Sequence, residues 1–310
     1  MDDCEPSQSR KATCEERWIE CEEIYESSKD DSSHADDYYN IFSESDVYQS
    51  FYFTVDHSTT PDEYHFERHS SSTVPQASSI VLRGVKTEYG QIINSTGLTL
   101  WRASTILCNF LCTNYKSCIV DKSILELGAG LGLCGIVCYR MGGSKHVVMT
   151  DGDTDALDTM RLNVRTNLEQ NDEPLNSHMV ASRNHIDTDS ILPCRQLRWG
   201  HEQQLMEFKR CWGSFDVIIG SDIIYMEDSL NPLFETVVEL LTPLSELRDE
   251  SHGQGFDDDD AASILSRQSV FILAYARRNV NINLVLDTAA KHGLKCLEPL
   301  SDEGVYLFYQ

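Results

Sequence analysis

The chain has 310 residues and a hydrophobic content of 41%, enough for one large or two small domains with a globular core, and no apolar run approaches the roughly 20 residues of a membrane span. Its formal net charge of −25 repels phosphate backbones and argues against a nucleic-acid partner. The eleven cysteines are an odd, scattered set with no Cys-x-x-Cys pair and no zinc-type spacing, and the first residues do not form a signal peptide, which together fit the reducing cytosol or nucleus.

Residues 1–48 hold 15 acids against 4 Lys/Arg, a net of −11, and read as a solvated, disordered segment; Trp18, Ile19 and Ile24 allow a short helix from Arg17 to Tyr25. Residues 49–95 read as a β-rich N-terminal extension, with short strands at Phe51–Val55, Tyr64–Phe66 and Ser79–Arg83 between Ser/Thr/Pro turns. From residue 96 to 310 the pattern becomes a single domain. Helical spacing runs from Thr99 to Leu111, with Trp101 near its start. A strand at Ile124–Leu127, a helix to Met141, a strand at Val147–Thr150 and a helix at Asp153–Leu168 follow, the last capped by Asp153 or Thr154. Val180 marks a weak third strand, Phe215–Gly220 a buried fourth, and Leu230–Leu241 a helix. The loop 242–268 is acidic, with six acids against one Arg in residues 248–260. Ser269–Tyr275 is a strand, Val280–His292 a helix, and Lys295–Leu297 and Val305–Tyr309 the last strands.

Such alternation predicts an α/β fold: a mostly parallel sheet, helices on both faces, and one antiparallel edge strand from the terminal hairpin-like pair. Cys108, Cys112, Cys134 and Cys138 fall at i, i+4 on the predicted helices, where free cysteine behaves as a small core residue.

The chemistry is concentrated in residues 123–135, SILELGAGLGLCG. An apolar run interrupted by Glu126 leads into Gly128, Gly130 and Gly132, and a helical pattern begins at once. Strand, tight turn and helix N-terminus in that order let backbone approach a nucleotide-like ligand; the glycines remove the Cβ that would block it. The next strand ends in Asp151, where a carboxylate suits a ribose diol. Gly130-x-Gly132-x-x-Gly135 also satisfies the dinucleotide fingerprint, and Asp151 lies near the distance that fingerprint expects. Glu126 tilts the reading away from a dinucleotide: a carboxylate there repels a pyrophosphate but can hold a cationic ligand's ammonium group.

Three further segments narrow the pattern: GLTLW at Gly97–Trp101, LRWG at Leu197–Gly200, and Asp222-x-x-Tyr225 after the fourth strand. With the glycine motif they resemble methyltransferase family 16, over roughly residues 80 to 310. The resemblance implies a seven-strand, Rossmann-like fold, S-adenosylmethionine as cofactor, and methylation of a protein lysine, with translation factors and chaperones among the acceptors. It implies cofactor contacts at Trp101, Glu126, Gly128, Ala129, Gly130, Asp151, Trp199 and Ser221, and an acceptor site at Asp222 and Tyr225, with Arg277 a weaker lining residue. Members often carry an N-terminal extension, a candidate for substrate contact. No metal, nucleic acid or membrane is called for, and a monomer is expected. The competing readings are a small-molecule or protein-histidine N-methyltransferase on the same fold, an NAD(P)-dependent oxidoreductase, and a non-catalytic module whose acidic tail binds a basic partner.

Overall fold

A computed structural model describes residues 21–23, 48–56, 77–85, 96–169, 188–243, 261–275, 280–297 and 304–310. The Tyr64–Phe66 strand, the Val180 strand, Arg277 and the 248–260 acidic run lie outside them.

Among the described residues, ten strands form two sheets. β1 (Cys21–Glu23), β2 (Tyr48–Asp56) and β3 (Ala77–Val85) make a small antiparallel sheet in that order. The large sheet holds β4 (Ser123–Leu127), β5 (His146–Asp151), β6 (Cys194–Gln196), β7 (Val217–Ser221), β8 (Val270–Ala274), β9 (Lys295–Leu297) and β10 (Val305–Tyr309) in the order β6-β5-β4-β7-β8-β10-β9. The helices are α1 (Arg102–Thr113), α2 (Tyr115–Cys118), α3 (Leu133–Met141), α4 (Thr154–Glu169), α5 (Thr188–Ile191), α6 (Glu202–Trp212), α7 (Leu230–Leu240), α8 (Ala261–Arg267) and α9 (Ile282–Lys291).

The central strands are legible because both their faces are covered. β4, β7 and β8 bury nearly every residue, which is why they read as continuous apolar runs rather than alternating ones. Their side chains divide with period two. Ile124, Val217, Ile219 and Ile272 face a core shared with Leu107, Cys108 and Leu111 of α1 and Val137 and Cys138 of α3. Leu125, Ile218, Phe271 and Leu273 face the opposite core, built on Phe208 of α6, Phe234 and Val237 of α7 and Val285 of α9.

Two expectations are corrected, and one strand is new. Cys21–Glu23 is a strand laddered onto Phe51–Phe53 of β2, not part of a helix; the backbone pairing overrides a weak local pattern. Beside β5 the sheet adds Cys194–Gln196, a strand not singled out in the sequence, recruited through its ladder to Met149–Asp151; the Val180 candidate lies outside the described residues. The antiparallel strand, β10, is inserted between β8 and β9, which leaves β9 at the edge. The hairpin β2–β3 buries Phe51, Phe53, Ile80 and Leu82 in the same core as α1, α3 and α4. Of the cysteines in that core, burial pushes the Cys112 and Cys118 thiols up to about 12, which keeps them un-ionised and unreactive.

The strand order reverses at β4, with β5 on one side and β7 on the other. Loops leaving the carboxyl ends of these strands diverge there and open a crevice, the place where ligands collect in open α/β sheets.

Candidate active site

The crevice is a cleft of about 810 Å³, within the range of small-molecule sites. The turn after β4 forms its floor. Gly128, Gly130 and Gly132 all have positive φ, at 59°, 53° and 85°, a region costly for residues with a Cβ. Space forbids a side chain as well: a Cβ on Gly128 would come within 2.7 Å of the Ile223 side chain, and one on Gly130 within 3.0 Å of the Gly97 carbonyl. The turn is pinned by Ala129 N–H donating to the Thr150 carbonyl at 2.9 Å and Gly132 N–H to the Ala129 carbonyl at 2.8 Å.

Asp151 ends β5 on the cleft wall. One carboxylate oxygen accepts the Gly130 N–H at 3.0 Å and the other the Asp153 N–H at 2.9 Å. Burial pushes this carboxyl above its ordinary value, and the Asp153 and Gly130 amides oppose the shift. A carboxylate has about four acceptor positions, so two remain for a diol. Asp153 itself caps α4, accepting the Asp155 N–H at 2.8 Å, so Asp151 is not the helix cap.

Trp101, Trp199 and Ser221 also line the cleft, as do Gly128, Ala129 and Gly130. Trp101 precedes α1 in extended conformation, and its indole N–H donates to the Thr96 carbonyl at 2.9 Å, closing residues 96–101 into a flap over the glycine turn. Trp199 brings its ring edge beside Gly128. Asp222 and Tyr225 occupy the third side. Asp222 is 8% exposed, has φ of 58°, and donates its N–H to the Ala274 carbonyl at 2.9 Å. Aspartate is one of the few residues that tolerates this conformation, and here it turns the chain sharply off β7. Tyr225 is 47% exposed at the mouth.

Glu126 is not on the cleft wall. It is 1% exposed, and its Oε2 accepts the Gly135 N–H at 2.7 Å. Gly132 at the N-cap of α3 supplies no side-chain cap; Glu126 serves the helix end instead, from the preceding strand. Burial pushes its carboxyl up to about 8, against the lowering effect of the Gly135 amide. Glu126 therefore reaches the cleft only through the backbone of the turn and helix that it braces. Gly135 is glycine for the same reason: a Cβ there would meet Met149 Sδ at 2.3 Å and Glu126 Oε2 at 2.9 Å. Glu126 thus satisfies a first-turn amide of α3 that would otherwise have no partner within the helix.

Sequence reading passed over several wall residues. Gly97 packs against Gly130 and Asp151; the GLTLW segment held the signal, although only its tryptophan was singled out. Arg198, Met226, Asp228 and Pro232 also line the cleft, and nothing in their spacing marks them.

The profile of the lysine methyltransferase family matches residues 87–247, just over half of the chain, and the chain belongs to that family. Among curated relatives it is 30% identical over 149 residues to the protein-lysine N-methyltransferase EFM3 of Chaetomium thermophilum, covering 47% of this chain and 39% of that protein. It is 28% identical over 200 residues to the protein N-lysine methyltransferase METTL21A of Xenopus tropicalis, covering 64% of this chain and 80% of that one. It is 33% identical over 144 residues to METTL21A of Mus musculus, covering 46% and 54%. The matched stretch is thus less than two thirds of the fungal and mouse proteins. The cofactor that membership supplies is S-adenosylmethionine. The cleft fits it: a cradle where a Cβ on Gly128 or Gly130 would intrude, the Asp151 carboxylate with acceptor positions to spare, and apolar surface from Leu100, Trp101 and Trp199.

Proposed function

We propose that the protein is an S-adenosylmethionine-dependent N-methyltransferase whose acceptor is a lysine side chain of a protein substrate. The observation that carries this reading is Asp222: a buried carboxylate, bent into the left-handed region, on the wall of the cleft whose floor is the glycine cradle. The names of the EFM3 and METTL21A relatives support it.

When bound, the cofactor supplies a methyl group on a sulfonium, an electrophile that needs no metal. The protein's part is to prepare the amine. Free lysine has a pKa near about 10.4 and is mostly charged at neutral pH. The amine sheds one proton to solvent at the mouth before it can attack; Asp222 then accepts a hydrogen bond from the neutral nitrogen and fixes its direction, and its burial limits competing water. Tyr225 presents its ring and hydroxyl at the mouth, where the lysine stem enters. Asp151, Gly130 and the flap hold the donor half of the cleft. Asp153, Asp155 and Asp228 line the same cleft against Arg198, a field that attracts a cationic segment.

Translation factors and chaperones are the acceptor classes to screen first. The protein acts as a monomer in the cytosol or nucleus, in keeping with the free cysteines of the described residues. Among those residues no helix is long and apolar enough to cross a membrane.

The test is incubation with methyl-labelled S-adenosylmethionine and cell lysate, followed by acid hydrolysis of the protein fraction. Label is expected in methyllysine and absent with Asp222→Asn. Label in methylhistidine or in small molecules would contradict the lysine assignment.

A further inference from the structure

Asn163 and Asn167 lie one turn apart on α4, each 1% exposed. Asparagine is a poor residue for a helix interior because its amide competes for backbone groups, so two buried ones require partners. Asn163 Oδ1 accepts the Arg83 N–H at 2.8 Å, and its Nδ2 donates to the Arg83 carbonyl and to the Leu131 carbonyl, both at 3.1 Å. Asn167 repeats the pattern two residues back on β3: Oδ1 accepts the Val81 N–H at 2.9 Å, and Nδ2 donates to the Val81 carbonyl at 2.7 Å and the Asn163 carbonyl at 2.8 Å. The match is geometric. One helical turn rises about 5.4 Å and two strand residues about 6.8 Å, close enough for carboxamides to imitate a neighbouring strand.

One difference separates the two. Asn163 alone also holds Leu131, which belongs to the glycine turn and lines the cleft. The same strand reaches the flap: the Thr99 hydroxyl donates to the Val85 carbonyl at 3.0 Å, and Thr99 is a cleft residue too. β3 therefore holds two walls of the cleft, the glycine turn through Asn163 and the flap through Thr99.

We propose that Asn163 is a positioning residue for the cofactor cleft and that, through it, the N-terminal hairpin is a working part of the cofactor site, although the family profile begins only at residue 87. This rests on the S-adenosylmethionine reading above. With its polar groups all satisfied in a buried setting, the carboxamide fixes the turn in one position. Without it, the Leu131 carbonyl loses its partner and the turn relaxes away from the ligand.

The experiment measures S-adenosylhomocysteine affinity by calorimetry, and Tm, for the full chain, Asn163→Ala and Asn167→Ala. Both variants lose a strand-like pairing; only Asn163→Ala releases Leu131. Asn163→Ala is expected to weaken binding about tenfold more than Asn167→Ala, the equivalent of one buried hydrogen bond. It should also raise KM for the donor while leaving kcat at saturation within about twofold. Equal affinities for the two variants would overturn the proposal. Should Asn163→Ala fail to fold, hydrogen exchange of the unaltered chain decides: S-adenosylhomocysteine is expected to slow exchange at Val81 and Arg83, and protection confined to the cleft would overturn the proposal. If the unaltered chain does not bind the ligand, it is the cofactor reading that fails, an outcome distinct from equal variants.

Discussion

Asp151 and Gly130 are joined across the end of the sheet: the carboxylate Oδ2 accepts the Gly130 N–H at 3.0 Å, while Oδ1 of the same group accepts the Asp153 N–H at 2.9 Å. One side chain thus sets the crest of the glycine turn and the entry to α4, and still offers acceptor capacity to the cleft. Asp151→Ala removes both the ligand contact and the anchor. S-adenosylhomocysteine affinity should fall at least tenfold, on the order of one charge-assisted hydrogen bond, as read by calorimetry. Unchanged affinity would remove Asp151 from the site.

Asp222 and Tyr225 stand on another side of the cleft, after β7, and should behave oppositely. Asp222→Asn keeps a residue that tolerates φ of 58°, and Tyr225→Phe keeps the ring. Each is expected to retain S-adenosylhomocysteine binding and to lose turnover, by about 10² or more for the aspartate, the usual scale for a positioned polar group. Equal loss of cofactor binding in these variants and in Asp151→Ala would sink the division of the cleft into donor and acceptor halves.

Gly130→Ala tests the cradle. The new methyl would stand 3.0 Å from the Gly97 carbonyl at a φ of 53°. Strain of about 1–2 kcal/mol is expected from the conformation alone. The turn or the flap must also move, so Tm and affinity should fall together. A variant with wild-type Tm and affinity would contradict the close approach of flap and turn.

Glu126 gives a pH prediction. In the unfolded chain its carboxyl ionises near 4.5; in the fold burial holds the proton to about 8. Between those values the native state binds one proton more than the unfolded state, so the contribution of Glu126 to stability is full below about 4.5 and is lost as pH rises to about 8. Glu126→Gln imitates the protonated form and keeps an acceptor for Gly135. Its Tm should therefore gain on that of the wild type across this window, and parallel curves would contradict a protonated Glu126.

How far the sequence announces this arrangement depends on how local each feature is. β4, β7 and β8 are apolar on both faces, and their tips carry the glycine turn and Asp222, so fold and site emerge together. β6 is three residues long with one of them buried, and only its ladder to β5 makes it a strand. Glu126 shares the parity of Ile124, whose side chain faces the α1–α3 core, so alternation along β4 already turns it from the cleft; its nearness to the glycines suggested the opposite. Asn163 and Asn167 were silent because their partners lie about eighty residues away. Gly97 depends in the same way on a contact with Gly130 that only folding creates.

The most direct measurement is calorimetric titration of the purified full chain with S-adenosylhomocysteine, and with NAD as comparison. Saturable one-to-one binding of S-adenosylhomocysteine, with none of NAD, is the predicted result. Binding of NAD, or of neither ligand, would contradict the assignment of the cleft as a methyl-donor site.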